Sequence, residues 1–161
     1  MKEILERLVS GELNIDEAET LLKADSILEF DEIAKFDNKR CERTGFPEAI
    51  FSPSKDYEDL LVIVKKYLEN NDEDLIITKL SQKRYEKILA DFGENSLIFD
   101  YNKRAQILVI RKEEKIKEKI AKVGIITAGT SDINIAEEAK VIVEEGGCEA
   151  ITSYEIGRAH V

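Results

Sequence analysis

The stretch "VGIITAGTSDI", residues 123–133, decides how the second half of the chain folds. Its apolar beginning, residues 123–127, predicts a buried strand, and residues 128–131 form a turn of small and hydroxyl side chains. A helix is predicted over residues 132–145. In α/β proteins, a turn between a strand and a helix often binds a phosphate or a sugar.

The predicted helix ends at a double glycine. Its inner face is predicted to hold Ala136, Ala139, Ile142 and Val143. Gly146 and Gly147 stop the helix, and residues 148–153 predict the next strand. Because two parallel strands with one crossover cannot cover both faces of a sheet, we expect residues 123–154 to be an incomplete βαβ unit.

The turn has the chemistry of a ligand-binding loop. Gly129 allows the backbone to approach a ligand closely. Thr130 and Ser131 offer hydroxyl groups, and Asp132 can accept hydrogen bonds from ribose hydroxyls. The start of the helix adds free N–H groups and the positive end of its dipole. The alternative is that Ser131 or Asp132 only caps the helix, and the spacing alone leaves both interpretations open.

Residues 1–110 predict a separate α+β domain, because helices and strands alternate there in mixed order. The predicted helices cover residues 5–9, 15–22, 60–68 with Ser54 as the cap, and 81–91 with Ser81 at the start. The predicted strands lie in "EIAKFD", at residues 49–51, in "DLIITKL", and on both sides of a turn at residues 102–104 in "SLIFDYNKRAQILVIR".

The charge of the chain is acidic overall and uneven. The formal net charge is −10, yet residues 103–122 carry eight Lys or Arg and three Asp or Glu. We predict a basic helical linker over residues 111–122, "RKEEKIKEKIAK". Because the linker carries both positive and negative side chains and the chain has a net negative charge, a nucleic-acid partner is not expected.

The composition argues against a membrane protein, a secreted protein and a metal-binding protein. A hydrophobic content of 43% suits a folded protein, and the sequence contains no apolar run of about 18 residues, so no membrane partner is expected. The N-terminus predicts a charged amphipathic helix and not a signal peptide. Cys41 and Cys148 lie far apart without metal-type spacing, which favours reduced thiols, a cytoplasmic location and no metal site.

Residues 123–153, "VGIITAGTSDINIAEEAKVIVEEGGCEAITS", resemble the start of a domain shared by two carboxylase families. One is the 5-aminoimidazole ribonucleotide carboxylase family (PurE), and the other contains the LarB-type pyridinium-3,5-biscarboxylic acid mononucleotide synthases. In the purine family the turn reads Gly-Ser-x-Ser-Asp; Ser131 and Asp132 match, whereas Gly129 replaces the first serine. "TAGTSD" and the N-terminal segments "LVSGELNIDEAETLL" and "IAKFDNKRCERTGFPEAIF" resemble the LarB-type family.

The resemblance implies an architecture and an activity for the intact protein. The expected fold is an α+β N-terminal domain followed by the first βαβ unit of a three-layer α/β domain, PurE-like and of flavodoxin or Rossmann type, at residues 123–154. The implied enzyme carboxylates the pyridinium ring of nicotinic acid adenine dinucleotide with CO2 or bicarbonate. It also cleaves the phosphoanhydride, releasing AMP, in nickel-pincer nucleotide synthesis. No tightly bound cofactor is implied, and a homo-oligomer is expected.

The catalytic nucleophile implied by the resemblance is a cysteine beyond the end of this chain, since a thiolate is the natural activator of a pyridinium ring. Cys148 is expected to be a packing residue. Cys41, beside Arg40 and Arg43, is expected to be incidental despite its basic setting. We therefore expect this chain to be inactive as it stands.

The last seven residues, "EIGRAHV", are expected to be a non-native tail, because residues 156–161 can be encoded by a common sequencing-adapter sequence. For that reason His160 is not assigned as a general base.

The basic segment before residue 49 has two interpretations. Arg40 and Arg43 are possible contacts of a dinucleotide phosphate. Alternatively, the segment is an exposed turn that closes the N-terminal domain, with Phe46 as its anchor. For the whole protein the alternatives to the LarB-type reaction are a PurE-type carboxylase or mutase of purine biosynthesis and a non-catalytic nucleotide-binding module.

Overall fold

The computed structural model describes residues 2–25, 27–30, 34–37, 45–93, 96–114 and 118–154. The helices are α1 (Lys2–Val9), α2 (Ile15–Asp25), α3 (Tyr57–Asn70), α4 (Gln82–Phe92) and α5 (Ile133–Glu145). The strands are β1 (Ile27–Phe30), β2 (Ala34–Asp37), β3 (Glu48–Phe51), β4 (Leu75–Thr78), β5 (Ile98–Asn102), β6 (Ile107–Arg111), β7 (Ala121–Ile126) and β8 (Cys148–Ser153). Within these ranges, the helices are too short or too polar to cross a lipid bilayer.

The first two helices are present as predicted, and they contact each other. Asn14 and Glu17 cap α2 reciprocally: Asn14 Oδ1 accepts from the Glu17 N–H at 2.8 Å, and a Glu17 carboxylate oxygen accepts from the Asn14 N–H at 2.9 Å. This exchange satisfies two backbone donors at the helix start. Strands β1 and β2 follow as an antiparallel pair.

A four-stranded mixed sheet with the order β3-β4-β6-β5 organises the centre of the molecule. Strands β3 and β4 are parallel, whereas β6 is antiparallel to both β4 and β5. Side chains alternate between the two faces of a strand. One face carries Leu75 and Ile77 of β4 into a fully buried cluster with α3 and α4. The predicted mixed order of helices and strands is confirmed.

The second face of this sheet is covered by α5. Ile76, Ile107 and Val109 form a separate buried cluster there, together with Ala105. Val141 and Ile142 of α5, and Phe46 from the segment before β3, pack against it. The result is three layers, with helices on both faces of the four-stranded sheet.

The strand, helix and strand predicted at residues 123–153 are confirmed, with the first strand beginning at Ala121. Strands β7 and β8 are parallel and pair over six residues, from Ala121 opposite Cys148 to Ile126 opposite Ser153. The predicted burial of the first strand is wrong: Ile126 of β7 is 68% exposed, and Ile151 of β8 is 53% exposed. Because α5 covers a single face of this pair, the side chains that alternate onto the other face are open.

The predicted inner face of α5 needs one correction. Ala136 is buried, but Ala139 is exposed. The reason is that α5 packs between two sheets. Val141 and Ile142 contact the four-stranded sheet, so the buried stripe is rotated away from Ala139.

The predicted helical linker over residues 111–122 is also wrong for the described residues. Arg111 ends β6, residues 112–114 and 118–120 are not helical, and β7 begins at Ala121. The Ile120 N–H donates to the Gly147 carbonyl at 2.9 Å, so pairing with the second strand begins before β7. Surface charge pairs stabilise a helix by only a few tenths of a kcal/mol each, which is too little to compete with sheet pairing.

The two predicted serine caps have different outcomes. Ser81 is the N-cap of α4, and its Oγ accepts from the Arg84 N–H at 3.4 Å. Ser54 does not cap α3, because Asp56 occupies the N-cap position. Ser54 instead ends a short 3-10 turn with proline in its first positions, and its hydroxyl donates to the Phe51 carbonyl at 3.1 Å.

Candidate functional site

The predicted ligand turn lies at the carboxyl edge of the parallel β7–β8 pair. The Thr127 N–H donates to the Ser153 carbonyl at 3.1 Å, so the two strands end side by side. The turn then leads directly into α5. In open α/β sheets, ligands bind outside the carboxyl ends of the strands. The position of the turn therefore fits the predicted role.

The turn itself is a tight, exposed bend. Gly129 has extended backbone angles, and Thr130, Ser131 and Asp132 form one 3-10 turn. The Asp132 N–H donates to the Gly129 carbonyl at 3.1 Å, and Ser131 Oγ donates to Asp132 Oδ1 at 3.3 Å. The side chains of Thr130, Ser131 and Asp132 point into solvent. These hydroxyl and carboxylate groups are accessible to a ligand.

The capping alternative is not supported for Asp132. This residue occupies the N-cap position of α5, but its side chain accepts no N–H of the helix. Its backbone has helical angles, φ −94° and ψ −8°, whereas a capping residue usually has extended ones. A further polar atom lies just before the turn: Thr127 Oγ1 is buried and has no hydrogen-bond partner among the described residues.

Glu137, on the second turn of α5, joins three elements near this edge. Asn102, at the end of β5, donates through Nδ2 to Glu137 Oε2 at 2.9 Å. The Tyr154 hydroxyl, directly after β8, donates to Glu137 Oε1 at 3.0 Å. The other amide atom of Asn102 is also engaged, since Oδ1 accepts from the N–H groups of Arg104 and Ala105, both at 3.0 Å.

These contacts shift two ionisation equilibria. The hydrogen bond from Asn102 lowers the pKa of Glu137; burial opposes this shift, while Tyr154, Lys140 and Arg104 add to it. The pKa of the Tyr154 phenol is raised, first by burial and then by its hydrogen bond to Glu137. Hydrogen bonding thus dominates the shift of Glu137, whereas burial dominates the shift of Tyr154 and the bond to Glu137 adds to it.

A second polar bridge lies one residue along α5. Lys79 Nζ and Glu138 Oε2 are 2.5 Å apart. Lys79 follows β4 and has a positive φ of 53°. This bridge also joins the four-stranded sheet to α5, but no contact with Tyr154 accompanies it in the described structure.

Phe46 lies at the opposite end of α5 from the turn. A Cβ atom placed on Gly146 would be 3.2 Å from Phe46 Cε2. The helix between them is 13 residues long, or about 20 Å at 1.5 Å per residue. The structure therefore does not bring Phe46 to the turn. Phe46 is an anchor, as the alternative interpretation holds, but it anchors the segment to α5 as well as to the sheet.

Arg40, Arg43, Cys41 and His160 lie outside the described residues. The dinucleotide contacts predicted for the two arginines stay predictions. Cys148 is half-buried at the start of β8, in keeping with its expected packing role. Among the described residues, no group of three or more His, Cys, Asp or Glu side chains is arranged to hold a metal ion.

The comparison with protein families matches residues 28–113 to the LarB/PurE-like N-terminal domain. The match covers more than half of the chain. The chain belongs to the LarB/PurE-like N-terminal domain family. The family is carboxylase-related, which supports an enzymatic role at that coarse level.

A relative among curated proteins extends the likeness beyond the matched domain. It is the uncharacterized protein MJ0165 of Methanocaldococcus jannaschii, which is 34% identical over all 161 residues of this chain. The alignment covers 63% of the relative. The chain therefore spans less than two thirds of the length of that protein.

Sequence reasoning missed the polar residues that join the central sheet to α5. Glu137 and Glu145 lie in "EEAKVIVEE", which has the pattern of a solvent-exposed helix face. Arg111 ends an apolar strand and is close to three carboxylates, those of Asp74, Asp100 and Glu145. A charged residue at the end of an apolar run is the weak signal that points to Arg111, and no comparable signal marks Glu137.

Proposed function

We propose that the intact protein is a LarB-type carboxylase and hydrolase acting on nicotinic acid adenine dinucleotide. In this reaction a carboxylate from CO2 or bicarbonate replaces a hydrogen of the pyridinium ring, and the ring releases a proton. Water cleaves the phosphoanhydride and AMP leaves. The carboxylated mononucleotide enters nickel-pincer nucleotide synthesis. The chain described here would contribute one wall of that site.

Family membership carries this proposal, and the turn gives it a chemical basis. The exposed hydroxyl groups of Thr130 and Ser131 suit phosphate oxygens, and the first N–H groups of α5 add donors beside them. The Asp132 carboxylate suits ribose hydroxyls. All three residues lie at the carboxyl edge of a parallel strand pair, where nucleotides bind in many α/β proteins.

In the proposed mechanism the turn binds and orients the nucleotide. A thiolate from a longer form of the chain adds to the pyridinium ring and makes a ring carbon nucleophilic; after carboxylation the thiolate leaves, so the enzyme is regenerated. Nothing in residues 2–154 is assigned as that nucleophile. The proposal includes a PurE-like three-layer α/β domain, completed by further strands beside β7 and β8, and a cytoplasmic homo-oligomer.

The second candidate is a PurE-type carboxylase or mutase acting on 5-aminoimidazole ribonucleotide. The match of Ser131 and Asp132 to the purine turn favours it, whereas the N-terminal family domain favours the LarB-type reaction. The two differ in substrate, so one assay separates them. The full-length Methanocaldococcus jannaschii relative is incubated with bicarbonate and either substrate. AMP release from the dinucleotide supports the first candidate, and turnover of the ribonucleotide alone contradicts it.

The turn is tested on the 1–161 chain by NMR titration with AMP. We expect the amide signals of residues 129–132 to shift in a saturable manner at millimolar AMP, and the Asp132→Asn variant to bind at least about fivefold more weakly, since the acceptor loses its charge and one of its two oxygens is replaced by a donor. Glu138→Gln is the control because it removes a carboxylate from the same helix. Shifts that are absent, or equal in all three proteins, would remove the turn from the site.

A further inference from the structure

Three elements from different parts of the chain meet at the carboxylate of Glu137. Asn102 belongs to the β5–β6 hairpin, Glu137 to α5, and Tyr154 follows β8. Asn102 and Tyr154 each donate to a different carboxylate oxygen, at 2.9 Å and 3.0 Å. One carboxylate thus ties the hairpin of the central sheet to the end of the second parallel strand.

Tyr154 is one residue from the bond that closes the carboxyl edge. The carbonyl of Ser153 accepts there from the N–H of Thr127, which lies two residues before the turn at residues 129–132. A shift of Tyr154 is therefore transmitted to Thr127 through a single backbone hydrogen bond. Hydrogen bonds to a charged group are about twice as strong as neutral ones, and the half-buried setting of Glu137 limits competition by water.

We propose that Glu137 is a positioning residue, which bridges Asn102 and Tyr154 and thereby fixes the carboxyl edge from which the ligand turn at residues 129–132 extends. The consequence for the ligand rests on the proposed function of the turn. The link itself is independent of any ligand. It makes Asn102 of the β5–β6 hairpin, 27 residues before Gly129 (129 − 102), part of the support of the site.

The charged groups that face this carboxylate are Lys140 from its own helix and Arg104 from the hairpin turn, and Thr152 faces the Tyr154 hydroxyl. None of them replaces the donor of Asn102 or the hydroxyl of Tyr154. Asn102→Asp therefore tests the link without removing any of these groups, whereas Tyr154→Phe also removes the hydroxyl to which Thr152 is hydrogen-bonded.

The Asn102→Asp variant breaks the link selectively. Aspartate keeps the oxygen that accepts from the N–H groups of Arg104 and Ala105, so the hairpin turn keeps its hydrogen bonds. It replaces the Nδ2 donor by a second acceptor, which repels Glu137. In the double variant Asn102→Asp, Glu137→Gln, the new glutamine donates to the new aspartate and still accepts from Tyr154. The pair is restored with donor and acceptor exchanged and with the same total charge.

The readout is amide hydrogen exchange of Thr127 in the 1–161 chain. We expect Asn102→Asp and Tyr154→Phe each to accelerate it roughly tenfold, the effect of one lost hydrogen bond to a charged group. The double variant should return to within about twofold of the wild type. Glu138→Gln is the matched control, because it removes the adjacent carboxylate and its ion pair with Lys79 while leaving Tyr154 in place.

Each outcome decides the proposal. Equal exchange of Thr127 in all variants, a double variant as fast as Asn102→Asp, or an unprotected Thr127 in the wild type would overturn it.

AMP titration of the same proteins separates the link from the site. Weaker AMP binding in Asn102→Asp, restored in the double variant, supports the positioning of the ligand turn. Unchanged binding with accelerated exchange overturns that part alone. A wild type that binds no AMP removes the turn from the proposed site, and the exchange rates still decide the link.

Discussion

The guanidinium of Arg111 contacts the buried carboxylate of Glu145, and so joins the last residue of β6 to the last residue of α5. Asp74, whose side chain is 5% exposed, lies 3.7 Å from Arg111 Nε, and the more exposed Asp100 lies 3.3 Å from Nη1. One cation therefore faces two buried carboxylates. The central sheet and the crossover helix are held together by charge at this end, in addition to their apolar contact.

Removal of this cation should destabilise the protein strongly. We expect Arg111→Met to lower the free energy of unfolding by about 3–5 kcal/mol, because it leaves Asp74 and Glu145 buried without their cation. The measurement is urea denaturation followed by circular dichroism. Lys112→Met is the control: Lys112 pairs with the fully exposed Asp72, and such a pair contributes about 1 kcal/mol or less. Losses of equal size would show that the Arg111 cluster is not a buried network.

The ring of Phe46 lies close to Gly146 and leaves little room for a side chain there. The backbone angles of Gly146 are open to any residue. We expect Gly146→Ala to lower the free energy of unfolding by about 1–3 kcal/mol, because its methyl group would meet Phe46 at 3.2 Å. In a Phe46→Leu background the added methyl group should cost less, which a double-mutant cycle measures. Gly124→Ala serves as the comparison, since no atom lies within 4 Å of its added methyl group. Strict additivity of the two substitutions would argue against the contact.

Ser54, in the 3-10 turn before α3, and Ser81, the N-cap of α4, should differ in their effect on stability. Ser81→Ala removes the side-chain acceptor of the Arg84 N–H and should cost about 1 kcal/mol of unfolding free energy. Ser54→Ala removes only an exposed hydrogen bond within the 3-10 turn and should stay within about 0.5 kcal/mol. Thermal denaturation of both variants gives the comparison. A larger loss for Ser54→Ala would contradict the assignment of the cap.

Glu137 should make stability depend on pH in the acidic range. Its pKa in the folded protein lies below the ordinary value of 4.5, mainly because Asn102 donates to the carboxylate. A lowered pKa means that the stabilising contribution is complete above the unfolded value and is lost as the pH falls through the folded value. The wild type should therefore lose stability relative to Glu137→Gln below about pH 4.5. A difference in unfolding free energy between the wild type and Glu137→Gln that stays constant from pH 7 to pH 3 would rule out this contribution.

The elements that were predictable from the sequence are those whose signal is local. The apolar runs of β4 and β6 are buried and were recognisable from three and four consecutive residues respectively, and the periodicity of α3 and α4 is equally short-range. The linker at residues 111–122 was predicted wrongly because its helical charge pattern is also local, while its pairing with Gly147 is not. Residue type alone could not reveal that Glu145 is buried.

The candidate site was predictable only in part for the same reason. The turn at residues 129–132 has a recognisable composition, and it lies where a ligand loop belongs. Its support depends on Asn102 and Tyr154, which are distant in sequence and have no distinctive pattern. Phe46 was recognisable as an anchor, but its partner, Gly146, could be identified only from the packing of α5.

The position of α5 has a consequence for the order of events during synthesis. Phe46 and Gly146 are 100 residues apart (146 − 46), so a nascent chain must expose the outer side of β4 and β6 until the ribosome has released residue 145. Such a partly covered intermediate is prone to aggregation and is a natural client for chaperones. A fragment ending at residue 114 should bind a hydrophobic dye more strongly than the chain through residue 154, because α5 covers this face of the sheet in the longer chain. Equal dye binding by both would mean that this surface is protected before α5 emerges.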